Sequence, residues 1–120
     1  MMFSQDKAIY LQMVDRMCDQ IVAGEYVEEG RIPSVREYGV MLEVNVNTVV
    51  KAYDQLARDQ IIYNKRGLGY FVSQGARTRI LQNRRKAFLQ EQLPALFRNM
   101  RLLGIDIKEV DQAWQDASNA

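Results

Sequence analysis

Apolar positions recur with a helical period through most of the chain and shift to a strand-like pattern in one short region. Ile9, Tyr10, Met13, Val14, Met17, Cys18, Ile21 and Val22 succeed one another at steps of three and four, which predicts a helix over residues 7–23. Ser4 or Asp6 can cap its start. Gly24 supplies the left-handed residue that commonly closes a helix. Residues 25–31 form a polar connector, with Gly30 as a second turn point. Ser34 and Glu37 then form a capping box, in which each side chain satisfies a backbone N–H of the other residue. Pro33 holds Ile32 extended. A second helix spans Val35–Leu42, with Val35, Tyr38, Met41 and Leu42 facing inward. Gly39 within it costs about 1 kcal/mol relative to alanine, a cost that close approach of a neighbouring helix would offset.

The stretch from Val44 to Asp59 is a third amphipathic helix. Val46, Val49, Val50, Tyr53, Leu56 and Ala57 share one face, and Asn45 is its natural N-cap. Only two or three residues separate it from the second helix, the spacing of a helix-turn-helix. Its first two turns present Asn47, Thr48 and Lys51, with no carboxylate between Glu43 and Asp54. Amides, a hydroxyl and a cation suit the edge of a nucleic-acid groove, although an ordinary solvated helix would look the same in isolation. Ile61–Lys65 and Tyr70–Ser73 are β-prone runs around the turn Arg66-Gly67-Leu68-Gly69, which reads as a hairpin with Lys65 and Arg66 at its tip.

Residues 76–103 return to helical spacing, with Ile80, Leu81, Phe88, Leu89, Leu93, Leu96, Phe97, Met100 and Leu103 as apolar steps. Pro94 removes a backbone hydrogen bond and should kink or divide this helix, a kink being the preferred reading. Gly104 ends it. Asp106 and Glu109 then open a last helix that runs to about Ala117, with Ile107, Val110, Ala113 and Trp114 on its apolar face. Residues 118–120 are expected to fray. The fold class is therefore mainly α with a small β-hairpin wing. A winged helix-turn-helix over residues 1–75 precedes a two-helix tail over 76–120. The tail has too few residues to bury its own large side chains. Pairing with a second copy through Leu81, Phe88, Leu89, Leu93, Leu96, Phe97, Met100 and Trp114 would cover them.

The 120 residues carry a net charge of only +1, so bulk electrostatics do not announce a polyanionic partner. The distribution of charge says more. No acidic residue lies between Gln60 and Gln90, a span holding Lys65, Arg66, Arg77, Arg79, Arg84, Arg85 and Lys86. Such a run is either a solvated face or a phosphate-facing one. Cys18 is the only cysteine and falls on an apolar helix face, as a small core residue would. With no histidine, the usual zinc ligands and the commonest general base are missing. No glycine-rich phosphate loop or nucleophile-plus-base spacing supports an enzyme, and no cofactor is implied. No apolar run is long enough to span a membrane, and the start of the chain lacks a secretion signal. A cytoplasmic location is the default.

Taken together, A-I-Y-L-Q-M, Q-I-V-A-G-E-Y, R-I-P-S-V-R-E, V-N-V-N-T-V-V-K-A-Y-D-Q-L and R-G-L-G-Y-F-V occur in order over residues 7–73. In this combination the chain resembles the DNA-binding domain of GntR-type bacterial transcriptional regulators. Its short tail is similar to that of the YtrA-type branch, which lacks a large effector domain and dimerises through the tail. The resemblance implies DNA contact at Arg36, Asn45, Asn47, Thr48, Arg66 and Gly67, and Ser34, Lys51 and Lys65 complete the candidate DNA-contact set. Arg36, Asn45, Asn47 and Thr48 match positions that touch DNA, and Arg66 and Gly67 match the wing tip. Two positions depart from the pattern: Val46 stands where many members have arginine, and Glu43 where many have glycine.

The resulting expectation is a homodimeric transcriptional regulator, a repressor by preference, on a near-palindromic operator. The alternative is a winged-helix module for protein contact without DNA binding. Any small-molecule effector would need a pocket between tail and winged helix, or the dimer seam, and no convergent polar cluster marks one.

Overall fold

The computed structural model describes residues 7–119. In chain order the elements are α1 (Ile9–Val22), α2 (Val35–Leu42), α3 (Val46–Arg58), β1 (Ile62–Lys65), β2 (Gly69–Val72), α4 (Ala76–Ala87), a π-helical turn (Phe88–Gln92), α5 (Leu93–Leu103) and α6 (Ile107–Ser118). The chain divides into two compact units between Gln82 and Asn83.

In the first unit, α1 contributes Met13, Met17, Cys18 and Ile21 to the core. Ala8 occupies its N-cap without a side-chain hydrogen bond. Ser4 and Asp6, expected as caps, lie outside the described residues. Gly24 is left-handed, at φ +85°, and closes the helix as expected. Gly30 closes a turn as expected, its N–H donating to the Val27 carbonyl at 2.9 Å, and the left-handed residue of that turn is Glu29, at φ +64°. Pairing with β2 follows directly. Glu29 N–H donates to the Val72 carbonyl at 2.8 Å, and Ile32 N–H donates to the Tyr70 carbonyl at 3.0 Å. An antiparallel bridge joins Arg31 to Phe71. The connector is thus laid beside the hairpin as a minimal third strand. Gly30 also meets a need for space, because a Cβ there would lie 2.9 Å from the Val27 carbonyl oxygen.

Helix α2 has the expected bounds and capping box. Glu37 N–H donates to Ser34 Oγ at 3.1 Å, and Ser34 N–H donates to Glu37 Oε1 at 3.0 Å. The Ser34 backbone N–H, and after it the Ser34 side chain, hydrogen-bonds to the ionised carboxylate and holds the Glu37 pKa below its usual range. Tyr38, Gly39 and Leu42 are buried, whereas Met41, expected inward, is exposed. Gly39 lies on the packed face and centres it there, which turns Met41 outward. A Cβ on Gly39 would lie 3.0 Å from the Val44 carbonyl oxygen and 3.5 Å from Val49 Cγ2. The close neighbour is therefore the turn backbone first and α3 second.

Glu43 opens that turn in the left-handed conformation, at φ +56°. Asn45 then caps α3, its Oδ1 accepting from Asn47 N–H at 2.8 Å. The buried face of α3 is Val49, Ala52, Tyr53 and Leu56, with Val46, Val50 and Ala57 exposed. The buried face is rotated from the expected stripe, which included Val46, Val50 and Ala57 and omitted Ala52. Small Ala52 sits inside, where it leaves room for a close neighbour. Tyr53 anchors the core: its hydroxyl donates to the Pro33 carbonyl at 2.6 Å, and its ring meets Tyr70 edge-on at 5.0 Å. Burial pushes the Tyr53 and Tyr38 hydroxyls well above the usual phenol range.

The hairpin pairs Ile62 with Val72, Tyr63 with Phe71, Asn64 with Tyr70 and Lys65 with Gly69. Gly67 and Gly69 take φ +80° and +107°, which a tight turn requires and most side chains resist. Ala76 and Ile80 of α4 join the same core. Arg77 Nε donates to the Val22 carbonyl at 3.2 Å, and the Arg79 guanidinium donates to the Gln60 carbonyl.

The second unit is helical. A π-helical turn over Phe88–Gln92 interrupts the helix just before Pro94, and α5 starts at Leu93. A proline ring in a regular helix clashes with the carbonyl four residues back, here Gln90, and widening that turn relieves the clash. Gly104 ends α5 at φ +69°, and Asp106 with Glu109 caps α6, both as expected. Ser118, expected to fray, is helical, its hydroxyl donating to the Trp114 carbonyl at 2.9 Å; Ala120 lies outside the described residues.

Candidate nucleic-acid interface

The first unit carries an outward row built on α3. The cap formed by Asn45 frees the first turn to project past the α2–α3 turn. Asn45, Val46, Asn47, Val50 and Lys51 are exposed, and Thr48 is half-buried. With its Oδ1 committed to the cap, Asn45 keeps an amide NH₂ that can donate to a phosphate. Ser34 is half-buried; its oxygen accepts within the capping box and its hydroxyl lies beside the Glu37 carboxylate. Asn47 can offer the paired donor and acceptor that match adenine in the major groove. The Lys51 ammonium lies over the Tyr10 ring, 4.3 Å from its centroid. That contact is worth about 0.5–1 kcal/mol at an exposed site. It steers the lysine without neutralising it.

Arg36 is exposed in the first turn of α2. Lys65, Arg66 and Gly67 are exposed at the hairpin tip, where Lys65 Nζ sits 5.1 Å from the Phe71 ring centroid. Tyr63 stacks on Phe71 at 5.9 Å, and its hydroxyl donates to Glu29 at 2.9 Å, a bond that raises the phenol pKa. The hairpin face is thereby braced against the connector, so the cations at its tip project from a supported strand pair. The acid-free run has two uses. Arg77 and Arg79 brace α4 through backbone carbonyls. Lys65 and Arg66 face solvent.

The sequence pattern does not single out Arg31. It is exposed, its guanidinium lies 3.7 Å from the Glu37 carboxylate, and its Nε would stand 3.2 Å from a Cβ at Gly69. It joins the turn end of the hairpin to the start of α2, a place visible only once the connector pairs with β2.

Among the tail candidates, Leu81, Phe88, Leu89, Leu96, Phe97 and Trp114 are exposed, Leu93 is half-buried and Met100 is buried. No helix among the described residues is long and apolar enough to cross a membrane.

The family model described as bacterial regulatory proteins, gntR family, matches residues 9–72. The chain is 31% identical over 110 residues to the HTH-type transcriptional repressor YtrA of Bacillus subtilis, covering 92% of this chain and 84% of that one. A solved structure from Bacteroides thetaiotaomicron, assigned to the GntR family, superposes with a TM-score of 0.85 at 48% identity, over 92% of this chain and 97% of its own. The DNA-binding domain of AraR in complex with operator ORR3 superposes with a TM-score of 0.51 at 26% identity, over 53% of this chain and 77% of that one.

Proposed function

The chain belongs to the gntR family of bacterial regulatory proteins and is a DNA-binding transcriptional regulator; from that premise we propose that it is a homodimeric repressor of a near-palindromic operator. Residues 1–75 would bind DNA and residues 76–120 would pair the copies. Two α3 helices would enter successive major grooves about 34 Å apart. Asn47 would pair with adenine, and Lys51 would reach guanine or phosphate. Asn45, Thr48, Ser34 and Arg36 would hold the flanking backbone, with Lys65, Arg66 and Gly67 at the minor groove.

One observation carries this reading. The capped first turn of α3 presents an exposed Asn47 in the same compact unit as exposed Arg36 and the exposed cations of the hairpin tip. The repressor relative and the operator-bound neighbour support the sign of regulation and the kind of partner. Exposed Phe88, Leu89, Leu96, Phe97 and Trp114 support the pairing.

The test compares Asn47→Ala and Arg66→Ala on operator and random duplexes across a salt series. Loss of the Asn47 base contact should cost about 1–3 kcal/mol on operator alone, whereas loss of Arg66 should weaken both duplexes and lower the salt slope by about 1. Equal losses on both duplexes from both variants would refute this division of roles.

A further inference from the structure

We propose that Val46 and Val50 are specificity residues that read the C5-methyl groups of thymines in the operator, an inference that rests on the DNA reading above. The hydrophobic pattern assigns both valines to the core. Both stand partly out of it, each 39% exposed on a helix whose neighbours Val49 and Tyr53 are fully buried, although one methyl of Val46 lies against α2, 3.7 Å from where a Cβ on Gly39 would stand. A β-branched apolar residue gains nothing from water at such a position. Two of them one helical turn apart form a short apolar strip beside Asn47 and Lys51.

The chemistry of the major groove supplies one apolar mark, the thymine methyl, and apolar side chains read it by contact. The spacing fits. Residues four apart on a helix are about 6 Å apart along its axis, and successive bases on one strand are about 3.4 Å apart. Val46 and Val50 are therefore spaced to reach bases about two steps apart. Asn47, next in sequence to Val46, would take an adenine in the same block. Neither valine can donate or accept a hydrogen bond, so a guanine or cytosine at those steps would gain no contact from them. The half-site is then A·T-rich where the first two turns of α3 lie.

The experiment selects bound duplexes from a random library with the full chain, then replaces each thymine of the selected site by deoxyuridine. That change removes the methyl and leaves the hydrogen-bonding edge intact. Binding should fall about fourfold at one or two thymines per half-site, the scale of burying one methyl-sized group. In Val46→Ala or Val50→Ala the loss at the matching thymine should vanish. Both positions are exposed and alanine favours helix, so the variants keep the fold; melting curves check this. Deoxyuridine tolerated at every position, or a loss undiminished in both variants, overturns the inference while the operator reading stands. A library from which no sequence is enriched overturns both.

Discussion

The two compact units of this chain treat large apolar side chains in opposite ways. The first buries Met13, Met17, Tyr38, Val49, Tyr53, Leu56, Ile62 and Val72 almost completely. In the second, Met100 is buried while Phe88, Leu96, Phe97, Leu103, Ile107 and Trp114 remain exposed. The amphipathic pattern is equally clear in both stretches of sequence. The difference is long-range. In the first unit α1, α2, α3 and the hairpin close around one centre, with Tyr53 tied to Pro33 and packed on Tyr70. The second consists of helices that leave a broad apolar face uncovered. A core that is complete within one chain reports on folding; an uncovered face reports on assembly.

Three experiments would break or sharpen that contrast. The largest effect is expected from charging the uncovered face. Leu96→Glu with Phe97→Glu should give a monomer by sedimentation at micromolar concentration and weaken operator binding by about 10²–10⁴-fold, because linked half-sites lose their effective concentration. A dimer that persists would remove the tail from the assembly. The next effect is on folding. Leu56→Ala in the closed core should cost about 2–5 kcal/mol of stability. Leu102→Ser, at a side chain 84% exposed, should shift the unfolding free energy by less than about 0.5 kcal/mol in a denaturant titration. Comparable costs would mean that the tail is folded into a core of its own. The smallest effect concerns the turn of the first unit. Glu43 holds a left-handed conformation that costs a side-chain-bearing residue about 1–2 kcal/mol, against the smaller entropic cost of glycine. Glu43→Gly should therefore raise the melting temperature, with operator affinity unchanged.

Features with local causes were legible in the sequence. The Ser34–Glu37 and Asp106–Glu109 capping boxes, the Asn45 cap and the left-handed Gly24 and Gly104 each depend on residues a few positions apart, and all appear as expected. Features decided by distant partners were not. Glu29 turns left-handed because the connector pairs with β2, far along the chain. Val50 lies outside and Ala52 inside because the elements packed against α3 decide which of its faces is buried. Among the candidate DNA contacts, residue type and the α3 cap were enough to nominate Asn47 and Arg66. Arg31 needed the bridge to Phe71 to bring it beside the hairpin.

The wide turn at Phe88–Gln92 sets the phase of α5. It holds about one residue more than a regular turn, so every side chain of α5 is rotated by about 100° from where an unbroken α-helix would put it. That rotation brings Leu93, Leu96, Phe97 and Met100 into line with Phe88; without it they would wind round to another side. Deleting a single residue between positions 88 and 92 would keep the composition nearly intact yet misalign this apolar row along its whole length. At this point in the chain, counting matters more than identity.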